Sequence, residues 1–434
     1  MDRAALLSAV ARARTVSLRG RVTSVTGLAM RAAVAGVRTG EIVQVERGGG
    51  PPLLAEVVGF ERGEAVLLPL GDSAGVGPDS CADPTGRPLA ISVGPALLGR
   101  VLDGLGRAAD GDPPAEGLAS WEVDRPPPAP LARRRVERVL PLGVRALDAL
   151  LTVGEGQRIG LFAGSGVGKS TLLAQIARNA DCDLCVVCLV GERGREVRDF
   201  VEDALGPEGR RRSVVVAATS DAPALVRLAA PRVATSIAEW FAEREGRRVL
   251  LLVDSLTRFA RAQREVGLAA GEPPARQGYP PSVFAALPRL VERAGGRARG
   301  TITAVYTVLV AGGDLDEPIA DEARGILDGH VVLDRRLAEA GRWPAVDPLQ
   351  SLSRLMPALV EDRHRAAAAR VRALLAAYEA RREIIALGAY VPGADALADE
   401  AISRMPALER FLAQAPHERA PFEETVEALL EVVS

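Results

Sequence analysis

The chain has almost no lysine. Lysine and arginine together number 54 in 434 residues, yet Lys169 is the sole lysine and every other basic side chain is arginine. Aromatic residues are also scarce at 3%, and there are three histidines. Proteins that grip single-stranded nucleic acid need basic grooves and stacking rings. A net charge of −2 with so few rings argues against that class, and against electrostatic capture by an anionic membrane. No apolar run approaches the roughly 18 to 20 residues that span a bilayer. The opening MDRAALLSAVARARTVSLRG mixes charge into its apolar positions and has no signal-peptide core. The expected location is the cytoplasm.

Cysteine is sparse and unevenly placed: Cys81, then Cys182, Cys185 and Cys188 within CDLCVVC. Such a run invites an iron–sulfur reading. LCVVCLVGE, however, has the texture of a buried parallel strand, on which residues three apart point to opposite faces. Three ligands from one strand would not converge, so no metal is expected there. His330, His364 and His417 are scattered and read as structural or exposed.

What is present belongs to a soluble globular protein, 48% hydrophobic and 25% charged, long enough for two or three domains. Three textures follow one another. Short β-type runs between glycine-rich turns, from Val16 to about Arg87, predict a small barrel, preceded in DRAALLSAVARA by either a short amphipathic helix or a frayed terminus. A proline-rich passage then leads into alternating strands and helices, the pattern of a parallel sheet covered by helices on both faces. GQRIGLFAG, DLCVVCLVG, RRSVVVAAT, RRVLLLVDS and GTITAVYTVLV are its strand candidates, and PRVATSIAEWFAERE is one of its helix candidates. After about Ser351 the chain reads as helical. The expected domains are therefore 1–88, 89–350 and 351–434.

The glycine-rich run GSGVGKST follows a strand and opens a helix, the setting of a phosphate-binding loop. Gly164, Ser165, Gly166, Val167 and Gly168 would turn backbone N–H groups toward phosphate oxygens, with the helix N-terminus adding its positive end. Arginine brings a wide planar fork, whereas lysine brings a compact ammonium on a flexible stem. In a loop already crowded with donors only the latter fits, which explains why lysine survives here alone. Ser170 would offer a hydroxyl to Mg²⁺, with Thr171 beside it. Where the usual pattern opens with glycine this chain has Ala163.

A second strand ends in LLLVDS, so Asp254 would emerge at the C-terminal edge of the sheet, where ligands bind, and hold Mg²⁺ partly through water. Glu192 follows the strand through Val190 and reaches the same edge. Spacing leaves two readings open for it: a carboxylate that polarises the attacking water, or an exposed GERGRE turn. The loop REVGLAAGEPPARQGYPP is either an ordinary proline-rich connection or, as its length for a compact domain favours, a surface facing a pore or stalk.

These motifs, in this order, resemble the catalytic subunits of rotary ATPases, and most closely the bacterial type III secretion ATPases of flagella and injectisomes. The resemblance runs from about Ser17 to Val433, through LLGRVLDGLGR, GERGREVRDF, GYPPSVFAALPRLVERAG, WPAVDPLQSLSRLMP and LGAYVPGADALADEAI. It implies a β-barrel, a RecA-like nucleotide-binding domain and a helical C-terminal domain, assembled as a homohexamer that hydrolyses ATP with Mg²⁺. It further implies that Glu192 activates water, that Arg193 lies near the phosphates, that Arg354 reaches into the neighbouring subunit's site, and that Trp343 stands against adenine. The implied partners are a central stalk protein, a stator that regulates activity, and export chaperone–substrate complexes, at the periphery of the inner-membrane export apparatus and without nucleic acid. PTGRP, placed after the barrel, and LSRLM favour the injectisome branch. The chain departs from the family at Ala311 and Gly313, where acidic residues are common, and at Arg342 and Trp343. Competing classes are a catalytic-type subunit of a rotary ATP synthase, an RNA-translocating hexameric helicase and a non-catalytic nucleotide-binding subunit. The presence of Lys169, Ser170, Glu192 and Asp254 together argues against the last.

Overall fold

The computed structural model describes residues 19–434; the expected leading helix lies outside them. Six strands close the N-terminal barrel: β1 Gly20–Thr26, β2 Ala29–Ala33, β3 Glu41–Val45, β4 Leu53–Glu61, β5 Glu64–Pro69 and β6 Cys81–Pro88, in the order β1-β2-β5-β4-β3-β6. Alternation along β4 sends Leu53, Ala55 and Val57 into the barrel interior beside Val43, Val45 and Leu67. Two of the barrel strands, β2 and β6, were not anticipated. β2 is short, and β6 carries Pro84 and Pro88, residues that cannot donate to a ladder and so read as a turn. PTGRP is thus part of the barrel's last strand rather than the segment after it.

Beyond the barrel, β7 Ala90–Val93 pairs with β9 Ala119–Glu122, while β8 Val101–Asp103 joins the main sheet. That sheet is built on β10 Arg158–Ala163, β11 Leu184–Glu192, β12 Ser213–Thr219, β13 Arg248–Asp254, β14 Gly295–Gly296, β15 Thr301–Leu309, β16 Gly329–Leu333 and β17 Val346–Ser353. Its order is β17-β16-β10-β15-β13-β11-β12-β8, all parallel except β17, with β14 an antiparallel addition to β15. The five apolar runs expected as strands are its five central members. Each is buried on both faces, which is why they read as continuous hydrophobic segments.

Period-two alternation divides the core between the two faces. Leu184, Val186, Cys188 and Val190 of β11 pack with helices Ala224–Arg244, Leu256–Ala269 and Pro281–Val291. Cys185, Val187 and Leu189 face helix Lys169–Asn179 and the C-terminal helices Asp362–Glu379, Ala396–Leu412 and Phe422–Val433. The helical domain therefore leans on the same face as the helix that follows the phosphate loop. Helix Ala224–Arg244 starts earlier than its sequence signal, because Pro231 lies inside it rather than at its head.

Two local expectations change. Helix Leu256–Ala269 runs into the stretch read as a long loop and leaves only Ala270–Pro280 as connection. Of the cysteines, Cys185 and Cys188 do point to opposite faces, but Cys182 sits in a bend before β11 begins. The bend frees it from strand geometry, and its sulfur lies 3.6 Å from that of Cys185. His364 is buried, its Nε2 2.8 Å from the Ala149 carbonyl oxygen, a structural role.

Candidate active site

Parallel register decides what meets at the C-terminal edge of the sheet. Ala163 of β10 lies beside Leu309 of β15, and Asp254 of β13 beside Leu189 of β11. The loop after β10, the end of β11 and the end of β13 thereby converge. Gly166 and Gly168 adopt positive φ of 77° and 84°, a left-handed backbone that costs glycine nothing and lets the loop curl ahead of helix Lys169–Asn179. The Arg335 guanidinium donates to the Ser165 carbonyl oxygen at 3.3 Å and ties the loop down from outside.

Gly191 does comparable work for Glu192. The β11–β12 ladder slips one register between Val190 and Glu192, and Gly191 has φ of 66°. A bulge of this kind re-aims the next side chain. A Cβ at Gly191 would meet Arg258 Cδ at 2.9 Å, so only glycine lets that arginine pass. Arg258 Nη2 then donates to Glu192 Oε2 at 2.9 Å. The second oxygen of Glu192 lies 3.5 Å from Lys169 Nζ, and the same ammonium contacts both oxygens of Asp254. Thr307 on β15 donates to Asp254 Oδ1 at 2.7 Å, holding the carboxylate from the far side.

The cluster is thus two carboxylates gathered around one lysine, largely out of water. Burial, then the hydrogen bond with Glu196 and the charge of Asp254, push Glu192 up to about 7 against the pull of Lys169 and Arg258. The site opens into a cavity of about 1070 Å³ lined by the phosphate loop, Glu192, Arg193, Arg258, Trp343 and Pro416 among others. This volume takes a molecule the size of a nucleotide. The Trp343 ring covers the loop: a Cβ on Gly168 would lie 2.6 Å from its Cζ3. Arg193, exposed at the cavity rim, precedes helix Gly194–Asp199, and its backbone N–H donates to Glu196 at 3.3 Å.

Oxygen donors suited to a hard cation are at hand in Ser170 and Asp254, one hydroxyl and one carboxylate. That small set matches Mg²⁺, which keeps water and takes its remaining ligands from phosphate oxygens. Lys169 and the N–H groups of the loop match the phosphates themselves.

Arg354 is not brought into this cavity. β17 runs antiparallel, so its end, Ser353, pairs with Gly329 at the start of β16, on the opposite edge of the sheet. The Arg354 side chain is exposed there and donates to the Arg324 carbonyl oxygen at 3.1 Å. Sequence reasoning missed Arg258, Thr307, Gln414 and Pro416. Arg258 and Thr307 stand four residues past a strand end and within another strand, and nothing local marks either. Gln414 and Pro416 come from the far C-terminal segment, which is pinned to the helix after the loop. Gln175 Nε2 donates to the Ala415 and Glu418 carbonyl oxygens at 3.3 Å, and Asn179 Nδ2 to that of Glu418 at 2.9 Å.

Two family models match. Residues 143–353 match the ATP synthase alpha/beta family, nucleotide-binding domain, and residues 360–431 the T3SS EscN ATPase C-terminal domain. The type 3 secretion system ATPase of Xanthomonas euvesicatoria is 51% identical over 95% of this chain and 93% of its own length. The flagellum-specific ATP synthase of Bacillus subtilis is 49% identical over 94% of each. Among solved structures, the assembled ATPase EscN of the enteropathogenic E. coli type III secretion system superposes with a TM-score of 0.91 at 44% identity. That match covers 96% of this chain and 100% of the EscN chain in that structure. EscN in complex with its central stalk EscO matches with a TM-score of 0.88 at the same identity and coverage.

Proposed function

The chain belongs to the family of type III secretion and flagellar export ATPases, and on that premise we propose that it hydrolyses Mg²⁺-bound ATP as a homohexamer to energise protein export. The observation that carries the reading is the convergence of Lys169 and Glu192, which line a nucleotide-sized cavity, with Asp254 buried behind them against the Lys169 ammonium. Lys169 and the backbone of Gly164–Gly168 hold the β- and γ-phosphates. Ser170, with Thr171 next to it, and Asp254 hold Mg²⁺, which when bound neutralises charge on the phosphate oxygens. Glu192, raised to about 7, is matched to taking a proton from the attacking water near neutral pH. Arg193 borders the phosphates from the rim.

Trp343 takes the adenine. The residue is 39% exposed and borders the cavity, and its ring lies over Gly168, where a base would stack. Arg354, on the wrong edge of its own sheet, acts on a neighbour's nucleotide, which makes turnover a property of the assembly. From residue 19, the first described, to 88 the chain serves as the barrel domain, from 89 to the end of β17 at Ser353 as the nucleotide-binding domain, and beyond β17 as the helical domain, three residues later than the boundary expected from sequence. A central stalk protein, as EscO is for EscN, a stator and export chaperone–substrate complexes are the partners, engaged in the cytoplasm at the periphery of the export apparatus. Among the described residues no helix is long and apolar enough to cross a membrane.

The test is specific ATPase activity against protein concentration. Activity that rises as oligomers form, with Mg²⁺ required, is the expected result; flat activity from monomers would overturn the reading. Recovery of the proteins that co-purify from native cells then assigns the branch: injectisome components are expected, whereas rotary synthase subunits would refute export altogether.

A further inference from the structure

Away from the cavity, Cys182 and Cys185 are free thiols that do not line it. They stand at the opposite end of helix Lys169–Asn179, both free, with sulfurs 3.6 Å apart. Cys182 occupies the bend between that helix and β11, flanked by exposed Asp181 and Asp183, and only its own side chain turns inward. Cys185 is fully buried between neighbouring strands, its thiol directed to the Ala177 carbonyl oxygen at 3.4 Å. Arg212, which precedes β12, reaches over both. Its Nη2 donates to Cys182 Sγ at 2.8 Å and to the carbonyl oxygens of Ala180 at 2.8 Å and Cys182 at 3.0 Å.

A guanidinium against sulfur favours the thiolate, the form that reacts. The Cys185 thiol and Arg212 together hold Cys182 below the usual thiol range, whereas the same contact and complete burial push Cys185 up. The pair is therefore asymmetric: one sulfur readied at the surface side, one protonated partner behind it. Cys188 faces the other core and Cys81 lies in the barrel, so neither competes.

We propose that Cys182 and Cys185 form a dithiol oxidised by small hydroperoxides, with Cys182 attacking and Cys185 resolving. The Cys182 thiolate takes the distal oxygen of the hydroperoxide as the O–O bond breaks, and the alkoxide or hydroxide released picks up a proton. Cys182 is then a sulfenic acid. The Cys185 sulfur, giving up its proton, attacks the Cys182 sulfur; the S–O bond breaks and the departing hydroxide takes a proton to leave as water. Two thiols and one hydroperoxide become one disulfide, one alcohol (water, for hydrogen peroxide) and one water. The sulfurs must close from 3.6 Å to about 2.05 Å. The movement falls on the bend that carries Cys182, since β11 holds Cys185 in place. Small size matters because Cys182 is only 8% exposed.

The experiment treats the reduced full-length protein with hydrogen peroxide, blocks remaining thiols with an alkylating agent and maps peptides by mass. The expected product is lighter by two hydrogen masses, linked Cys182 to Cys185, and restored by dithiothreitol. In Cys185→Ser the reaction stops at a Cys182 sulfenic acid that dimedone traps; in Cys182→Ser, Cys185 stays reduced. Arg212→Gln slows oxidation of Cys182 roughly tenfold, the effect of about one pKa unit on the thiolate fraction. Four thiols still alkylated after treatment, a link to Cys81 or Cys188, or first oxidation at Cys185 would each overturn the proposal. The wild-type map decides the link even where a variant folds poorly.

Discussion

The two edges of the central sheet carry the same kinds of side chain and use them in opposite ways. Where the strands begin, opposite charges close on one another. Arg158 donates to both oxygens of Asp328 at 3.1 Å and also pairs with Glu292, and Arg248 bonds Asp183 at 3.1 Å and Glu155 at 3.3 Å. Where the strands end, Glu192 and Asp254 share Lys169, and burial leaves Glu192 reluctant to ionise. Charges that satisfy one another hold a fold together. Charges gathered ahead of their partner are arranged to receive it, in the function proposed above phosphate and a cation.

Arg354 is the sharpest challenge to that division, because it sits on the self-satisfied edge and is assigned to catalysis. Arg354→Ala is expected to lose about 10³ to 10⁵ in kcat, the worth of an arginine finger, with nucleotide affinity nearly unchanged. Mixing it with Lys169→Ala should restore part of the activity, since a mixed interface can join an intact loop to an intact finger. No rescue in mixed oligomers, with concentration-independent activity, would return Arg354 to a structural role.

Next in size is Glu192→Gln, which keeps the shape and loses the base. Turnover should fall about 10² to 10⁴ while a fluorescent nucleotide still binds. Normal hydrolysis would make Glu192 a turn residue. Lys169→Arg keeps the charge and changes the shape, and a loss beyond about tenfold in kcat is expected. Turnover within about threefold of wild type would mean that sign alone matters in the loop.

Smaller again is a pH effect. Glu192 is raised from 4.5 to about 7, so the fold favours its protonated form. Its contribution to stability is complete below 4.5 and lost as pH climbs to about 7. Activity runs the other way, because the base must be ionised. The profile of kcat/KM should rise with an apparent pKa near 7, and the residual activity of Glu192→Gln should lack that limb. The weakest effect on turnover is expected from Asp328→Ala on the opposite edge. Removing the Arg158 partner should cost about 1 to 3 kcal/mol in denaturant unfolding and leave KM unchanged. A raised KM there would show the two edges to be coupled.

Much of this was readable from one chain. The five central strands announce themselves because burial on both faces demands uninterrupted apolar residues, and Lys169 because glycines, strand and helix appear in fixed order around it. Among the strands that escaped notice, β6 with its prolines and the edge strand β17 lack that signature because a barrel seam or an edge tolerates polar and ladder-breaking residues, and β16, between β17 and β10, is only five residues long and opens with Gly329 and His330. Which residues are suited to phosphate and a cation could be read from the chain alone, since this chemistry is local to a loop and a strand end. Folding alone has Arg258 and Thr307 brace Glu192 and Asp254, lays Trp343 over Gly168, turns Cys182 back onto Cys185 and leaves Arg354 facing away. Each depends on strand order and register, which bring residues distant in the chain to one edge or hold them apart, and no window of sequence contains that information.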